Sequence, residues 1–105
     1  MSGGAENPLA PLRAEIDAID AELVALLGRR FGVVRRVAAV KHRHGLPAVL
    51  PERIDEVKRQ AAAWGEAVGL DPGFVAGLYQ MIIDEACRTE EHLMAPPATA
   101  RDGGE

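Results

Sequence analysis

The stretch LAPLRAEIDAIDAELVALLGRRFGVVRRVAAVKHR, residues 9–43, decides the fold, because it predicts a single helix of about 35 residues. Apolar side chains recur along it at alternating steps of four and three, the spacing of one face of a helix: Leu12, Ile16, Ile19, Leu23 and Leu26. The next position of this stripe is Arg30. Valines at 33, 37 and 40 then resume the stripe, and Lys41 follows.

Arg30 and Lys41 are the two cations that this pattern sets on the predicted inner side of the helix. They are eleven residues apart, so at 100° per residue they point within about 20° of each other. An unpaired charge is very costly to bury. The pattern therefore predicts an anionic partner for both residues.

The length of the first helix predicts an intertwined homodimer. A chain of 105 residues forms one domain, and a compact monomer of this size has a radius of gyration near 13 Å. A helix of this length measures about 52 Å. It would project far beyond its own core, and a second copy of the chain would cover it.

The rest of the chain predicts two shorter helices and no strand, which makes an all-α fold. Gly45 ends the first helix as a left-handed cap, and the second helix begins at Pro51. Asp71 caps the third helix, which begins with Pro72. Its predicted inner face carries Phe74, Leu78, Met81, Ile82, Ala86, Thr89 and Leu93. The expected organisation is a flexible leader (residues 1–8), a helical domain (9–94) and a disordered tail (95–105).

Composition excludes several classes of function. The net charge of −4 disfavours binding to nucleic acid or to an anionic membrane, and no apolar run is long enough to span a bilayer. The single cysteine, Cys87, suits the reducing cytoplasm. His42 and His44 lack the companions of a metal site, and no cofactor motif is present, so we expect neither a metal ion nor a cofactor.

The charged residues predict a site for a small dianion. Arg13, from a second copy of the chain, and Arg53, at the start of the second helix, can join Arg30 and Lys41. Glu90 is a lone acid on an apolar stripe of the third helix. Arginine side chains match carboxylates in bidentate geometry. Such a site catalyses only by positioning and electrostatic stabilisation, which suits a unimolecular rearrangement.

In these segments the sequence resembles the all-helical chorismate mutase family, over about residues 9–94. The resemblance is specific because several segments match in order and at the right spacing. They are LRAEIDAID (12–20), LLGRR (26–30), VAAVK (37–41), PER (51–53) and LYQMIID (78–84).

The resemblance implies an entwined dimer whose two sites each use both chains, acting on a small chorismate-like dicarboxylate without a cofactor. Arg13 of one chain would bind one substrate carboxylate and Arg30 of the other chain the second. Lys41 would donate to the ether oxygen of the breaking bond, and Arg53 would help to hold the substrate. Glu90 stands where many members have a glutamine that donates to the same oxygen, so it would have to carry a proton. The reaction converts chorismate to prephenate.

Three expected substrate-binding positions depart from the family pattern. Leu50 and Ile54 replace an acid that often contacts the substrate hydroxyl, and Ala86 replaces a serine that often binds a carboxylate. The apolar residues after Pro51-Glu52-Arg53, and the loop 46–48, resemble isochorismate-pyruvate lyases. A third branch rearranges 4-amino-4-deoxychorismate. We rank the ordinary mutase first and keep both other branches as alternatives.

A non-catalytic helical dimerisation protein is the alternative from another class of function. In it, Arg30 and Lys41 would form salt bridges between chains with Asp20 or Glu90. Isolated polar residues in the apolar stripe of a coiled coil commonly fix its register in this way.

Overall fold

The computed structural model describes residues 7–96, which form three α-helices: α1 (Ala10–Arg43), α2 (Pro51–Ala67) and α3 (Pro72–Met94). Residues 7–96 contain no strand, which confirms the predicted all-α chain with one long and two shorter helices. Most of the predicted leader and tail, residues 1–6 and 97–105, lies outside the described residues. The chain divides into two compact units, Met1–Gly32 and Val33–Glu105.

The N-terminal unit consists of the start of α1. Asn7 caps this helix, because its side-chain Oδ1 accepts from the backbone N–H of Leu9 at 2.9 Å. Pro11 lies in the first turn, where the missing N–H breaks no helical hydrogen bond. The five apolar residues of the predicted stripe are each between 52 and 55% exposed: Leu12, Ile16, Ile19, Leu23 and Leu26. A wholly apolar face is therefore left uncovered along this part of the helix.

The end of α1 is fixed by Gly45, as its sequence predicts. Gly45 has a φ of 68°, a backbone conformation that costs glycine no steric strain. The N–H of Leu46 donates to the carbonyl of Lys41 at 2.9 Å, and the N–H of Gly45 donates to the carbonyl of His42 at 3.4 Å. This pair of bonds is a Schellman motif, which turns the chain out of the helix.

Helices α2 and α3 form an antiparallel hairpin with well-defined ends. Gly69, with a φ of 86°, ends α2 in a second Schellman motif, in which the N–H of Leu70 donates to the carbonyl of Gly65 at 2.9 Å. Asp71 caps α3, because its Oδ2 accepts from the N–H of Phe74 at 2.8 Å. Both helices begin with a proline, as predicted.

The C-terminal unit buries only part of the inner face that the sequence predicts for α3. Ala86 is buried as predicted, whereas Phe74, Leu78 and Met81 are exposed in the single chain and Ile82 is half-buried. Contact with Gly65 explains the difference, since the missing side chain of that glycine lets Val75 approach the α2 backbone. Up to residue 96, the buried residues of this unit are Val34, Ala38, Ala61, Gly65, Val75, Ile83, Ala86 and Glu90.

Candidate functional site

An ion pair between α1 and α3 is the centre of the candidate site. Lys41, in the last turn of α1, donates through Nζ to Oε1 of Glu90 at 2.7 Å. The Lys41 side chain is 14% exposed and that of Glu90 10%. At this burial, removing one partner would leave a charge that neither water nor protein neutralises. The pair is thus a strong link between the two helices.

The Lys41 ammonium has a second acceptor in the loop before α2. Its Nζ also donates to the backbone carbonyl of Ala48 at 2.7 Å. An ammonium group carries three N–H donors, so these two bonds leave one donor for a ligand. The carbonyl of Ala48 was not predicted from the sequence, because every residue type offers the same backbone acceptor.

The helical period of α3 sets Ala86 beside this ion pair. Ala86 lies four residues before Glu90, one turn away on the same face of the helix, and it is buried. Its methyl group can fill space at the site but cannot donate a hydrogen bond. A carboxylate bound here would depend on the cations around it.

Half-buried Cys87 follows Ala86 on α3. Burial raises the pKa of the Cys87 thiol, and the charges of Glu90 and Glu91 raise it further, while Lys41 has the opposite effect. The thiol therefore stays protonated at neutral pH and is a poor nucleophile. A half-buried thiol in this state suits a role in helix packing.

The start of α2 contributes a mixture of apolar and charged residues. Leu50 precedes the helix and is exposed, and Ile54 is half-buried in the first turn, so neither offers a carboxylate. Arg53 donates through Nη1 to Oε1 of Glu56 at 2.7 Å, and both side chains are exposed. A surface ion pair of this kind is weak, so Arg53 can exchange Glu56 for an anionic ligand at little cost.

The other two predicted site residues belong to the N-terminal unit. Arg30 is half-buried there, and Arg13 is exposed. The structure thus joins Lys41 to Glu90, with Ala86 one turn away, and it pairs Arg53 with Glu56.

Two other features are absent from residues 7–96. These residues contain no cluster of three or more His, Cys, Asp or Glu side chains that could hold a metal ion. Among them, no helix is both long enough and apolar enough to cross a membrane. What the site does offer is a nearly enclosed ammonium group with a carboxylate at hydrogen-bond distance.

A family model and individual relatives place this chain among the same group of proteins. A model of the family described as chorismate mutase type II matches residues 12–91. The chain is 42% identical over 98 residues to the 4-amino-4-deoxychorismate mutase of Streptomyces venezuelae, covering 92% of this chain and 95% of that protein. It is 38% identical over 91 residues to the enzyme of the same name from Streptomyces pristinaespiralis, covering 87% and 70% respectively.

A relative named for a different activity is almost as similar over a shorter length. The isochorismate pyruvate lyase of Pseudomonas aeruginosa is 41% identical over 76 residues, covering 71% of this chain and 73% of that protein. The names of these relatives give different substrates and products, so the similarity identifies the family and not one substrate.

Proposed function

The chain belongs to the chorismate mutase type II family, and we propose from this that it rearranges chorismate to prephenate. The reaction breaks an ether C–O bond and forms a C–C bond within one molecule, so it requires no nucleophile or cofactor. The Lys41–Glu90 pair carries the proposal. A nearly enclosed ammonium group is suited to the negative charge that develops on the ether oxygen as its bond breaks.

In the proposed mechanism Lys41 donates its third N–H to the ether oxygen. The bonds to Glu90 and Ala48 hold the ammonium group in place before substrate arrives, so little reorganisation is needed during the reaction. A positioned donor of this type typically contributes about 3–4 kcal/mol to lowering the barrier. Glu90 has a second role when protonated, because its hydroxyl can then donate to the same oxygen.

Substrate carboxylates are bound by arginines in this proposal. Arg30 binds one carboxylate, and Arg13 of a second copy of the chain binds the other. Arg53 leaves Glu56 and holds the substrate from the α2 side. Two bidentate arginine contacts fix the orientation of a dicarboxylate. They also select the compact conformer in which the reacting carbons lie close together.

A homodimer follows from the same proposal, and the uncovered stripe of α1 supports it. The five residues of this stripe, Leu12 to Leu26, are more than half exposed. Burial of apolar surface stabilises association by about 25 cal/mol per Å². A second copy supplies the matching apolar surface together with Arg13. We also propose the cytoplasm as the location, because a single cysteine fits a reducing compartment.

Rearrangement of 4-amino-4-deoxychorismate is the second candidate function. Two relatives that cover most of the chain carry this activity in their names. Leu50 and Ile54 offer no charged group to either a hydroxyl or an amine on the substrate ring. Selection between the two substrates would then depend on shape and desolvation. Elimination of pyruvate from isochorismate is a third possibility, named in one relative.

The decisive experiment presents chorismate, 4-amino-4-deoxychorismate and isochorismate to the protein separately. Loss of diene absorbance measures the rate, and chromatography identifies the product. Prephenate from chorismate, at a kcat/KM above that of the amino substrate, supports the first proposal. A higher value for the amino substrate supports the second. Release of pyruvate from isochorismate as the fastest reaction overturns both.

A double variant distinguishes an enzyme from a non-catalytic helical dimer. Lys41→Gln with Glu90→Gln removes both charges together, so no unpaired charge is buried. We expect kcat to fall about 10²- to 10³-fold while circular dichroism stays unchanged. Arg88→Ala is the matched control, because it removes an exposed cation of α3 that pairs with Glu85. Equal activity in both variants would contradict the mechanism.

A further inference from the structure

A groove of about 490 Å³ lies where the last turns of α1 meet the end of α3. Its lining combines cations with small or apolar side chains, and all of it belongs to the C-terminal unit. The lining residues are Arg35, Ala38, Ala39, His42, Arg43 and Leu93.

This groove occupies a different face of α1 from the Lys41–Glu90 pair. At 100° per residue, His42 points about 100° away from Lys41, and Ala39 and Arg43 each point about 160° away. Neither Lys41 nor Glu90 lines the groove. The groove therefore opens on another side of α1 from the Lys41 ammonium, with Ala38 and Leu93 each one turn from a member of the ion pair. Its argument does not depend on the proposed reaction.

The formal charge of the groove comes from two arginines, Arg35 and Arg43, with the imidazole of His42 beside them. Arg35, His42 and Arg43 line it, and no acidic residue does, although the chain has 16 acidic residues and only 12 Lys and Arg. Within residues 7–96, none of these three side chains forms an ion pair or hydrogen bond. The guanidinium groups thus keep their full capacity to bind an anion.

The floor and far wall of the groove are apolar. Ala38 is buried, and Ala38 and Ala39 both line the groove, where we infer that they form its floor. Leu93 of α3 is half exposed and closes the other side. A volume of this size falls within the range of small-molecule sites, about 300–1,000 Å³.

We propose that this groove binds a small carboxylate that carries an aromatic ring. The ring lies on Ala38, Ala39 and Leu93, and the carboxylate accepts from Arg35 or Arg43. A purely polar anion would leave the apolar floor uncovered, and a neutral ring would leave the cations unpaired. Two arginines in a chain with a net charge of −4 make nucleic acid a poor fit.

The test uses 3-phenylpropionate as the probe, in a titration followed by amide chemical shifts of the full chain. Two comparison compounds separate the parts of the ligand: 3-phenylpropanol keeps the ring without the charge, and acetate keeps the charge without the ring. We expect saturable shifts at Ala39, His42 and Leu93 with 3-phenylpropionate. Each comparison compound should bind at least about tenfold more weakly, because it loses one of the two contacts.

Two variants test the groove itself. Arg35→Ala combined with Arg43→Ala should weaken 3-phenylpropionate about tenfold or more, since each guanidinium makes charge-assisted hydrogen bonds. Ala39→Leu should fill the floor and weaken the acid by a similar factor. Arg36→Ala is the matched control, because Arg36 is an exposed cation of the same helix that does not line the groove. Its affinity should stay within about twofold of the unchanged chain.

Three results would overturn the proposal. The first is a set of shifts at Ala48, Ala86 and Glu90 without shifts at Ala39 and Leu93, which would assign the probe to the other site. The second is equal binding of 3-phenylpropanol, or equal weakening by Arg36→Ala. The third is a change of molecular mass in light scattering for Ala39→Leu, which would make the groove a contact between copies of the chain. The rate of chorismate turnover enters none of these outcomes.

Discussion

Lys41 and Glu90 face each other across a contact that admits little water, so each side chain depends on the other's charge. Lys41→Ala or Glu90→Ala is expected to lower the free energy of unfolding by about 3–5 kcal/mol, because the remaining charge loses its partner. Glu90→Gln should cost less, since the amide oxygen still accepts from Nζ. Urea denaturation at a fixed protein concentration measures the three differences.

Arg88 and Glu85 provide the control for this prediction. Their ion pair also has an N···O distance of 2.7 Å, but both side chains are exposed. Surface pairs contribute little to stability, so Arg88→Ala should leave the urea midpoint nearly unchanged. A loss as large as that of Glu90→Ala would mean that burial is not what makes the Lys41–Glu90 pair important.

Glu90→Gln tests the role proposed for position 90. The amide oxygen still accepts from Nζ of Lys41, and the amide N–H can donate to the ether oxygen, so kcat should stay the same or rise. Lys41, whose ammonium contributes in both proteins, remains in place as an internal control. A fall in kcat for the Gln variant, measured with chorismate, would contradict a donor role for residue 90.

Single residues show both what the sequence predicts and what it leaves out. Lys41 and Glu90 were predicted as candidates because each interrupts an apolar stripe. The ion pair between Lys41 and Glu90 of one chain was not predicted. Periodicity shows which residues share a face of one helix, but it does not give the distance between residues of two helices. The bond from Lys41 to Ala48 depends on the path of the loop. The Arg53–Glu56 pair depends on a choice of rotamer.

At the scale of helices, Gly65 determines how α2 meets α3. A methyl group added at Gly65 would lie 2.6 Å from Cγ2 of Val75, which is itself buried. Alanine improves helix propensity by about 1 kcal/mol, whereas overpacking costs about 1–3 kcal/mol. We expect Gly65→Ala to lower the melting temperature, because Val75 has little room to move. Differential scanning calorimetry gives the change.

Gly77→Ala is the matched substitution on α3. A methyl group added there has no neighbour within 4 Å among residues 7–96, so only the gain in helix propensity remains, and the melting temperature should rise. A fall in both variants would show that the exposed side of α3 is packed in solution, and it would remove the special role of the Gly65–Val75 contact.

Helix ends were easier to predict than helix faces. Gly45 marks the end of α1 and Asp71 the start of α3, because the cap that each forms depends on local chemistry rather than on tertiary packing. The predicted inner face of α3 is right at Ala86 and differs from the buried one at Phe74, Leu78 and Met81, which were chosen as the larger apolar residues. The face of α3 that packs is instead the one that can approach α2 closely at Gly65. The sizes of the α3 side chains do not show which surface of α2 they will meet.

At the scale of the whole molecule, the apolar stripe on the N-terminal half of α1 leads to a prediction about assembly. Ile19 is more than half exposed at the middle of this stripe. Ile19→Glu would bury a carboxylate in the proposed interface, so we expect a mass near that of one chain in light scattering. The melting temperature of the unchanged protein should rise with concentration, as it does for a dimer.

Val24→Glu serves as the control for Ile19→Glu. Val24 lies on the same helix and is 67% exposed, but it is outside the stripe. The same change of charge there should leave the mass at that of a dimer. Monomers in both variants would point to general destabilisation of the helix, and a monomeric parent protein would remove the dimer from the proposal.

The bond from Lys41 to the carbonyl of Ala48 has a consequence for how this chain tolerates change. The acceptor is part of the main chain, so any amino acid at position 48 presents the same oxygen. Substitutions on the outer surface of the loop can therefore accumulate while this hydrogen bond to α1 is kept. This contact depends instead on the side chain of Lys41, because a shorter residue at position 41 could no longer reach the Ala48 carbonyl.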